Sequence, residues 1–557
     1  MLNVHKKFSE EKYDSNGLLV DYHLHCEDNY NFAYDVMDEI AKFEPDKRAL
    51  LWTNDEGEEI SFTYGDIKRY SDKTANMLKS YGIGKGDMVM LVLKRHYQFW
   101  FAVMALCKLG AVAIPATHLL TKKDFVYRFN AATVKALICT ADNDVGEHAM
   151  EAMKECSSLK VAFMANGNRE KREANFVKEG FLPFDKLIEE ASEDFEPVST
   201  KIEEPMLMYF TSGTTGYPKM VMHNHTYSLG HLLTAKHWQH VDSEGIHFTM
   251  ADTGWGKAAW GKLYGQWLME SCIFVYDFQK FTPSDLLPLF AKYRITSFCA
   301  PPTMFRFFIK EDLSKYDLSS LKYATIAGEA LNAEVYNVFY RNTGIKLMEG
   351  FGQTETTCLV ANIFTMTPKP GSMGKPVPQY DVDIVDEDGI SCEDGITGEI
   401  VIRTDKNIPF GLFMGYYRAD EITAKVWNNG LYHTGDTAWR DEDGYFWYVG
   451  RTDDVIKSSG YRIGPFEIES VLMEHPSVLE CAITAAPDPV RGQVVKATIV
   501  LASGYTPSEE LKKELQNYVK KQTAPYKYPR IVEFVDELPK TISGKIRRAA
   551  IRDGDSK

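Results

Sequence analysis

The chain of 557 residues is far longer than one typical domain, so we expect at least two hydrophobic cores. Its hydrophobic content of 44% and charged content of 25% are ordinary for a globular protein. The net charge of −15 argues against a general binder of nucleic acid or of acidic membranes. A polyanionic ligand would therefore have to be held by local cations and backbone donors.

The nine cysteines are scattered and form no C-x-x-C pair, which is typical of reduced thiols in the cytosol. The N-terminus has neither the apolar core of a signal peptide nor an Arg-rich transit pattern. The most apolar stretch, residues 99–116, is interrupted by Lys108, Gly110 and Pro115, which is unlike a membrane span. These features predict a cytoplasmic protein without a membrane span.

Helix and strand signals alternate in the first 140 residues. Helical spacing is found at 33–43, 67–81, 97–109 and 122–130, and apolar runs typical of buried strands are found at 88–93, 111–115 and 136–139. Such alternation predicts a parallel α/β layer.

An apolar strand at 206–210 leads into a turn rich in hydroxyls and glycines. The turn contains Thr211, Ser212, Gly213, Thr214, Thr215, Gly216 and Lys219. Glycines let backbone N–H groups converge into an anion-binding concavity, and lysine adds a point charge suited to phosphate. The pattern differs from a Walker loop, because Pro218 separates Gly216 from Lys219 and residues 220–222 resemble another strand. We interpret it as a polyphosphate loop, with a plain polar hairpin turn as the alternative.

Further strands are predicted at 246–250, 295–300, 323–327 and 347–350, each ending in a polar or Gly-rich turn. Ligands of open α/β sheets collect at such carboxyl ends. The aromatic segment 255–267 is interpreted either as helix core or as the wall of a substrate pocket.

From about residue 376 the pattern changes to period-two alternation with Asp-Gly turns, which predicts a β-rich subdomain over 376–449. We place the main domain boundary at 451–454. The predicted fold class is α/β, with a large N-terminal domain over 1–450 and a small mobile α+β domain over 451–557.

Five short stretches add chemistry suited to a nucleotide. They lie at 328–330, 349–355, 432–436, 450–463 and 539–545. Glu355 is a hard oxygen ligand suited to Mg²⁺, and Asp436 can accept hydrogen bonds from both hydroxyls of a ribose. Arg451 and Arg462 offer planar forks for ribose or phosphate oxygens, and Lys545 could meet charge that develops on phosphorus. Taken singly, each could be a turn residue or part of a solvated basic tail.

Together these motifs resemble the adenylate-forming superfamily, which includes acyl-CoA synthetases, luciferases and the adenylation domains of peptide synthetases. The resemblance covers nearly the whole chain after the first helices. The segments 116–120, 251–255 and 523–530 are most similar to medium-chain acyl-CoA synthetases.

The resemblance implies two half-reactions. A carboxylate attacks the α-phosphorus of ATP to give an acyl-adenylate and pyrophosphate, and the thiol of coenzyme A then displaces AMP. It implies catalytic roles for Lys545, Arg462 and Lys219, a magnesium site at Thr214 and Glu355, a hinge at Asp453, and a CoA channel at Gly460 and Tyr461. The residues implied to bind ATP and AMP are Thr211, Ser212, Gly213, Thr214, Thr215, Gly216, Gly328, Glu329, Ala330, Glu349, Gly350, Phe351, Gly352, Gln353, Thr354, Asp436 and Arg451.

The acyl group is inferred from Trp255, Trp260 and Gly352. Acetyl-specific relatives carry a blocking tryptophan near the position of Gly352, so a glycine there predicts room for a medium straight, branched or aromatic acid. The alternatives are an acetate or propionate ligase, a protein that loads a carrier-protein thiol, and a nucleotide-binding regulator without turnover. The predicted partners are the acid, ATP and CoA; a homo-oligomer is possible, and the sequence leaves the oligomeric state open.

Overall fold

The computed structural model describes residues 2–211, 217–458, 461–541 and 545–555, and the side chains of Arg462 and Asp555 lie outside the described part. Within these ranges the strands form two large sheets and three smaller ones. The α/β fold class predicted from the sequence is confirmed.

The first large sheet is mainly parallel. Its order within the described ranges is Gly415–Tyr416, Lys219–Asn224, Pro205–Thr211, Val112–Pro115, Met88–Val92, Ala136–Thr140, Val161–Ala165 and Leu182–Pro183. Met88–Val92 is buried at every residue, because it lies in the middle of the sheet with layers on both faces. The pairing of Pro205–Thr211 with Lys219–Asn224 is antiparallel and brings Thr211 opposite Lys219.

The second large sheet has a parallel centre and antiparallel edges. Its order among the described strands is Lys375–Pro376, Val360–Ala361, Leu347–Phe351, Tyr323–Ile326, Ser297–Ala300, Ile246–Thr249, Cys272–Asp277, Arg48–Asn54 and Glu59–Thr63. Residues 48–63 thus belong to the second sheet, although they precede every strand of the first sheet in the chain. The alternation of helix and strand signals in the sequence did not predict this assignment.

Helices cover both large sheets. The longer ones are Tyr64–Ser80, Gln98–Leu109, Lys122–Ala131, Val145–Met153, Thr226–Leu233, Pro283–Tyr293 and Ala333–Thr343; the shorter ones are Ala33–Asp38, Glu39–Phe43, Arg169–Glu173, Phe184–Glu190, Thr234–Trp238, Gly256–Gly261, Tyr264–Leu268, Pro302–Phe308 and Asp420–Val426. Gln98–Leu109 is buried on all sides, as expected for a helix enclosed by other elements. Its Trp100 indole donates to the carbonyl of Lys262, in the segment that follows a strand of the other sheet (2.8 Å).

The β-rich subdomain is an antiparallel sheet of Val382–Val385, Gly398–Arg403, Leu431–Arg440, Trp427–Asn428 and Phe446–Arg451. A smaller sheet follows, made of Tyr461–Ile463, Ile456–Ser458, Gly492–Leu501, Val478–Asp488 and Ile531–Phe534, with helices Pro465–Met473, Glu509–Gln522 and Arg548–Asp555. It has its own hydrophobic cluster around Ile468, Ile483 and Leu515. Thr452–Val455 connects the two sheets.

The N-terminal segment adds the hairpin Ser9–Tyr13 and Leu19–Leu24. In the described part of the chain, none of the helices combines the length and the apolar character needed to cross a membrane.

Candidate active site

The hairpin predicted to carry the phosphate loop forms as expected, with Thr211 at the end of one strand and Lys219 at the start of the next. Ser212, Gly213, Thr214, Thr215 and Gly216 lie outside the described residues. The ammonium of Lys219 lies 4.8 Å from the centre of the Tyr416 ring. Burial lowers the pKa of Lys219, and the negative charge of Glu355 opposes that shift. The lysine and the carboxylate therefore share one site.

Glu355 is held by the neighbouring edge strand. The Tyr416 hydroxyl donates to its Oε1 at 2.8 Å, and the N–H of Phe413 donates to its backbone carbonyl at 2.8 Å. Burial raises the pKa of this carboxyl, and the bond from Tyr416 and the charges of Lys219 and Arg451 lower it. A carboxylate fixed in this way is a suitable hard-oxygen ligand once a cation is present.

Asp436 is the acceptor of a buried polar network. Gln353 Nε2 donates to its Oδ2 at 2.5 Å, Tyr448 donates to its Oδ1 at 3.0 Å, and Arg451 Nη1 donates to Oδ2 at 3.2 Å. Tyr432 fixes Gln353 through its Oε1 at 2.8 Å. Burial raises the pKa of Asp436, while the Arg451 charge and these hydrogen bonds lower it. A carboxylate oxygen can accept two hydrogen bonds, and Oδ1 accepts one from Tyr448, so it has capacity for a ligand hydroxyl.

The turn at 328–330 follows the strand Tyr323–Ile326. Gly328 has φ of +103°, a conformation that favours glycine. Glu329 is exposed and pairs with Arg306 at 3.0 Å, and Ala330 is half-buried. The turn is thus open to solvent on the side of Glu329.

Glu349 lies beneath this turn rather than on its surface. It is 3% exposed, and its Oε1 accepts the N–H of Leu331 at 3.1 Å. Burial raises its pKa to about 8. Glu349 therefore holds the turn from below as a largely neutral acid near pH 7.

The sequence 350–354 lines the same edge of the second sheet. Gly350 and Phe351 end the strand Leu347–Phe351, and the carbonyl of Thr354 is within 2.8 Å of His223 Nε2. A side chain on Gly350 would collide with the Trp238 ring, since an added Cβ would lie 2.5 Å from it. This close packing fixes the strand end that carries Gln353 and Glu355.

Trp260 fills the space that the glycine at 352 leaves. An added Cβ on Gly352 would lie 2.4 Å from a ring carbon of Trp260, which is 7% exposed. Trp255 precedes the same helix and is half-buried. Gly352 and Trp260 are therefore in contact, and the indole lies where a side chain at position 352 would extend.

Lys257 is a residue of this site that the sequence analysis missed. Its Nζ donates to the carbonyl of Ala327 at 2.6 Å, next to the turn at 328–330. Burial lowers its pKa, and the charge of Lys545 lowers it further. A lysine between Trp255 and Trp260 in an otherwise apolar helix was the available signal.

Lys545 approaches the site from the smaller domain. It is exposed, and its backbone closes a turn with Thr541 through bonds of 2.7 and 3.1 Å. Its charge lowers the pKa of both Asp436 and Lys257. The structure therefore brings this C-terminal ammonium towards the predicted nucleotide site.

The remaining predicted residues lie near the connection between the domains. Asp453 is exposed, 3.8 Å from Arg451 Nε, and Asp454 pairs with Arg548 and Arg552 of the last helix. Tyr461 stacks on Tyr526 with ring centres 4.1 Å apart. Gly460 and the side chain of Arg462 are outside the described part.

Comparison with known proteins agrees with this geometry. Residues 37–417 match the model of the AMP-binding enzyme family, and residues 467–545 match that of the AMP-binding enzyme C-terminal domain. Acyl-coenzyme A synthetase ACSM4, mitochondrial, of Mus musculus is 43% identical over 94% of this chain and 90% of its own length. Acyl-coenzyme A synthetase ACSM3, mitochondrial, of Pongo abelii is 41% identical over 96% and 91%.

Solved structures show the same likeness. The anthranilate CoA ligase AuaEII in complex with anthranoyl-AMP has a TM-score of 0.85 and 27% identity, covering 95% of this chain and 98% of that one. A benzoate CoA ligase from Burkholderia xenovorans LB400 has a TM-score of 0.80 and 25% identity, covering 94% and 100%.

The comparisons correct one prediction. The cytoplasmic location inferred from cysteine usage and the N-terminal sequence is contradicted, because these curated relatives are mitochondrial proteins. Scattered, unpaired cysteines are compatible with more than one reducing compartment, so they could not decide the location.

The predicted enzyme class is confirmed by the relatives and by the family model, and with it the use of ATP and CoA as substrates. The chain belongs to the AMP-binding enzyme family and is an AMP-forming acyl-CoA synthetase, an acid–thiol ligase.

Proposed function

We propose that this synthetase activates a medium-chain, branched or aromatic carboxylic acid, and that a single site serves both half-reactions. The observation that carries the proposal is the convergence of Lys219, Glu355, Asp436 and Arg451 with the charge of Lys545. The names of the similar proteins support the acid class, since they include anthranilate and benzoate ligases as well as acyl-CoA synthetases.

In the first half-reaction the acid's oxygen attacks the α-phosphorus of ATP, the bond to the pyrophosphate oxygen breaks, and an acyl-adenylate forms. Asp436 and Arg451 hold the ribose, and Lys219 with the loop at 211–216 holds the phosphates. Lys545 stabilises the charge that develops on phosphorus, a contribution of about 3–4 kcal/mol for one pre-organised donor. Gly328, Glu329 and Ala330 line the adenine, and Glu349 supports their turn from beneath.

Glu355 fits a magnesium ion shared with ATP. Tyr416 engages one of its oxygens. A carboxylate has about four acceptor sites, so lone pairs remain for a cation. The ion would neutralise phosphate charge, and Thr214 would be a second ligand from the chain. Elsewhere in the described ranges, no group of three His, Cys, Asp or Glu side chains is arranged to hold a metal.

In the second half-reaction the CoA sulfur attacks the acyl carbon and AMP leaves with the electron pair of the anhydride bond. We propose that the domain over 451–557 rotates about Asp453, which withdraws Lys545 and brings Gly460 and Tyr461 beside the thiol. Arg462, three residues before helix Pro465–Met473, would move with them.

A second candidate is a ligase for short acids such as acetate or propionate. The packing of the Trp260 indole against Gly352 favours it, because a bulky ring beside this glycine would shorten an acyl pocket there. Medium-chain acids would then need a displaced Trp260 or another path.

The test is AMP release with CoA over acetate to decanoate, 2-methyl-branched acids and benzoate, together with carboxylate-dependent pyrophosphate exchange. We expect an optimum above propionate. An optimum at acetate would reject the proposed acid class in favour of the second candidate.

A further inference from the structure

The segment Ala251–Lys257 runs along the acid-binding side of the proposed site. It follows the strand Ile246–Thr249 at its carboxyl end and continues into the helix Gly256–Gly261. A Cβ on Gly256 would lie 3.7 Å from the Thr354 side chain, and Lys257 donates to Ala327. The end of this segment is therefore wedged between the two motifs at 328–330 and 349–355.

The beginning of the segment is fixed by one carboxylate. Asp252 is 9% exposed; its Oδ2 lies 2.9 Å from His118 Nδ1 and 3.7 Å from Arg95 Nη1. Its Oδ1 accepts the N–H of Gly254 at 2.9 Å. Both oxygens are thus used, one for the segment's own turn and one for two side chains from elsewhere.

Those two side chains come from the other large sheet. Arg95 follows the strand Met88–Val92, and His118 follows Val112–Pro115. The Arg95 guanidinium also lies 3.8 Å from Asp277 and 4.0 Å from the centre of the Phe278 ring, so its position is fixed independently of Asp252. Asp252 is therefore the point at which the acid-side segment is tied to the first sheet.

Neighbouring contacts also restrict the position of residues 251–254. The N–H of Thr253 donates to the carbonyl of Lys94 at 3.0 Å, and Lys262 Nζ donates to that of Ala251 at 2.8 Å. A Cβ on Gly254 would lie 2.2 Å from the carbonyl carbon of Ala116, so only glycine fits there. A shift of the segment at this point would be transmitted to Trp255 and Lys257.

We propose that Asp252 is a positioning residue that sets acid specificity by holding the segment that carries Trp255, Gly256 and Lys257. It touches neither acid nor nucleotide, and its effect passes through the backbone of that segment. The inference rests on the proposed placement of the acid against Trp255 and Trp260. Displacements of about 1 Å at such distances are known to reduce rates by about 100-fold.

The test compares Asp252→Asn with wild type by steady-state kinetics across the acid series. The amide keeps an acceptor for Gly254 and loses the charge facing His118 and Arg95. We expect KM for the best acid to rise at least tenfold and the chain-length profile to flatten, with KM for ATP changed less than twofold. His118→Ala should also raise KM for the best acid and flatten the profile. His118→Asn keeps a nitrogen near the position of Nδ1 and should therefore retain most of the wild-type profile.

Asp386→Asn is the matched control, because Asp386 also accepts backbone N–H groups in a tight turn but lies in the β-rich subdomain. We expect no change in its acid profile.

Thermal unfolding of each variant identifies loss of fold. If Asp252→Asn is unstable, the His118 variants provide the second test, because His118 lies at the edge of the network. An unchanged acid profile, or an equal rise of KM for acid and ATP, would overturn the proposal. If the proposed acid class is wrong, the acid profile of the wild-type enzyme will show it without any variant. The ratio of KM between variant and wild type, measured on whichever acid is best, still tests the role of Asp252.

Discussion

The two faces of the nucleotide site are built in different ways. On the N-terminal face, Asp436 is 6% exposed and accepts hydrogen bonds from three side chains, so its geometry is fixed before any ligand arrives. On the C-terminal face, Lys545 is exposed on a turn held by two bonds to Thr541. The difference fits the proposed division, in which a rigid surface binds the nucleotide and a domain that rotates away carries the catalytic charge.

The largest effect should follow from removing the exposed charge. Lys545→Ala is expected to lower the rate of pyrophosphate exchange by about 100–1,000-fold, as for the loss of one pre-organised donor. CoA transfer from pre-made acyl-adenylate should stay within a few-fold of wild type, since the proposed rotation withdraws the lysine before that step. The control is Lys540→Ala, because Lys540 lies in the same tail but pairs with Glu480 at 2.8 Å. Equal loss of both half-reactions would contradict the division between the two faces.

The rigid face should give a smaller loss of a different kind. Asp436→Asn removes a charged acceptor and the carboxylate charge that faces Arg451, for which about 2 kcal/mol is expected. That corresponds to an increase of about 30-fold in KM for ATP, with KM for the acid nearly constant. Asp443→Asn, at an exposed ion pair with Lys369 in the same subdomain, serves as control. A fall in kcat without a change in KM for ATP would show that Asp436 does not hold the ribose.

The sequence predicted the parts of the site that are local in the chain. The hairpin around 211–219, the strand end at 349–355 and the Asp-Gly turns of the β-rich subdomain follow from apolar runs and turn residues within a few positions. It did not predict how strands are divided between two sheets, because that depends on tertiary contacts of buried helices such as Gln98–Leu109, whose Trp100 bonds to Lys262.

The same limit applies to side chains that meet across the fold. Gly352 alone indicated an open pocket, but it did not reveal that the Trp260 ring from another segment packs against this glycine. Lys257 was not predicted for a related reason: it contacts the carbonyl of Ala327, which is distant in sequence. Pairs of this kind are set by tertiary packing, and one sequence without its fold does not display them.

The third effect concerns the wall of the acyl pocket. Trp260→Leu should free the space beside Gly352 and favour longer acids by about fourfold per added methylene, from about 0.8 kcal/mol for each buried methylene. The measurement is kcat/KM from acetate to decanoate. Trp439→Leu is the control, because Trp439 stacks on Trp447 in the β-rich subdomain. A profile that keeps its optimum would place the acyl chain on another path.

The smallest effect is expected on stability, at Glu349 on the rigid face. Burial raises the pKa of this carboxyl from its ordinary 4.5 to about 8, so the folded state holds a proton that the unfolded state has lost. Its contribution to the free energy of unfolding is complete below pH 4.5 and declines as the pH rises to about 8, by about 0.7 kcal/mol for each half pH unit. Glu349→Gln removes this dependence, so the difference between wild type and variant in urea unfolding should shift against wild type between pH 6.5 and 7.0. Parallel pH curves for the two proteins would mean that Glu349 is ionised in the fold, and that the turn at 328–330 rests on a charge instead of a neutral acid.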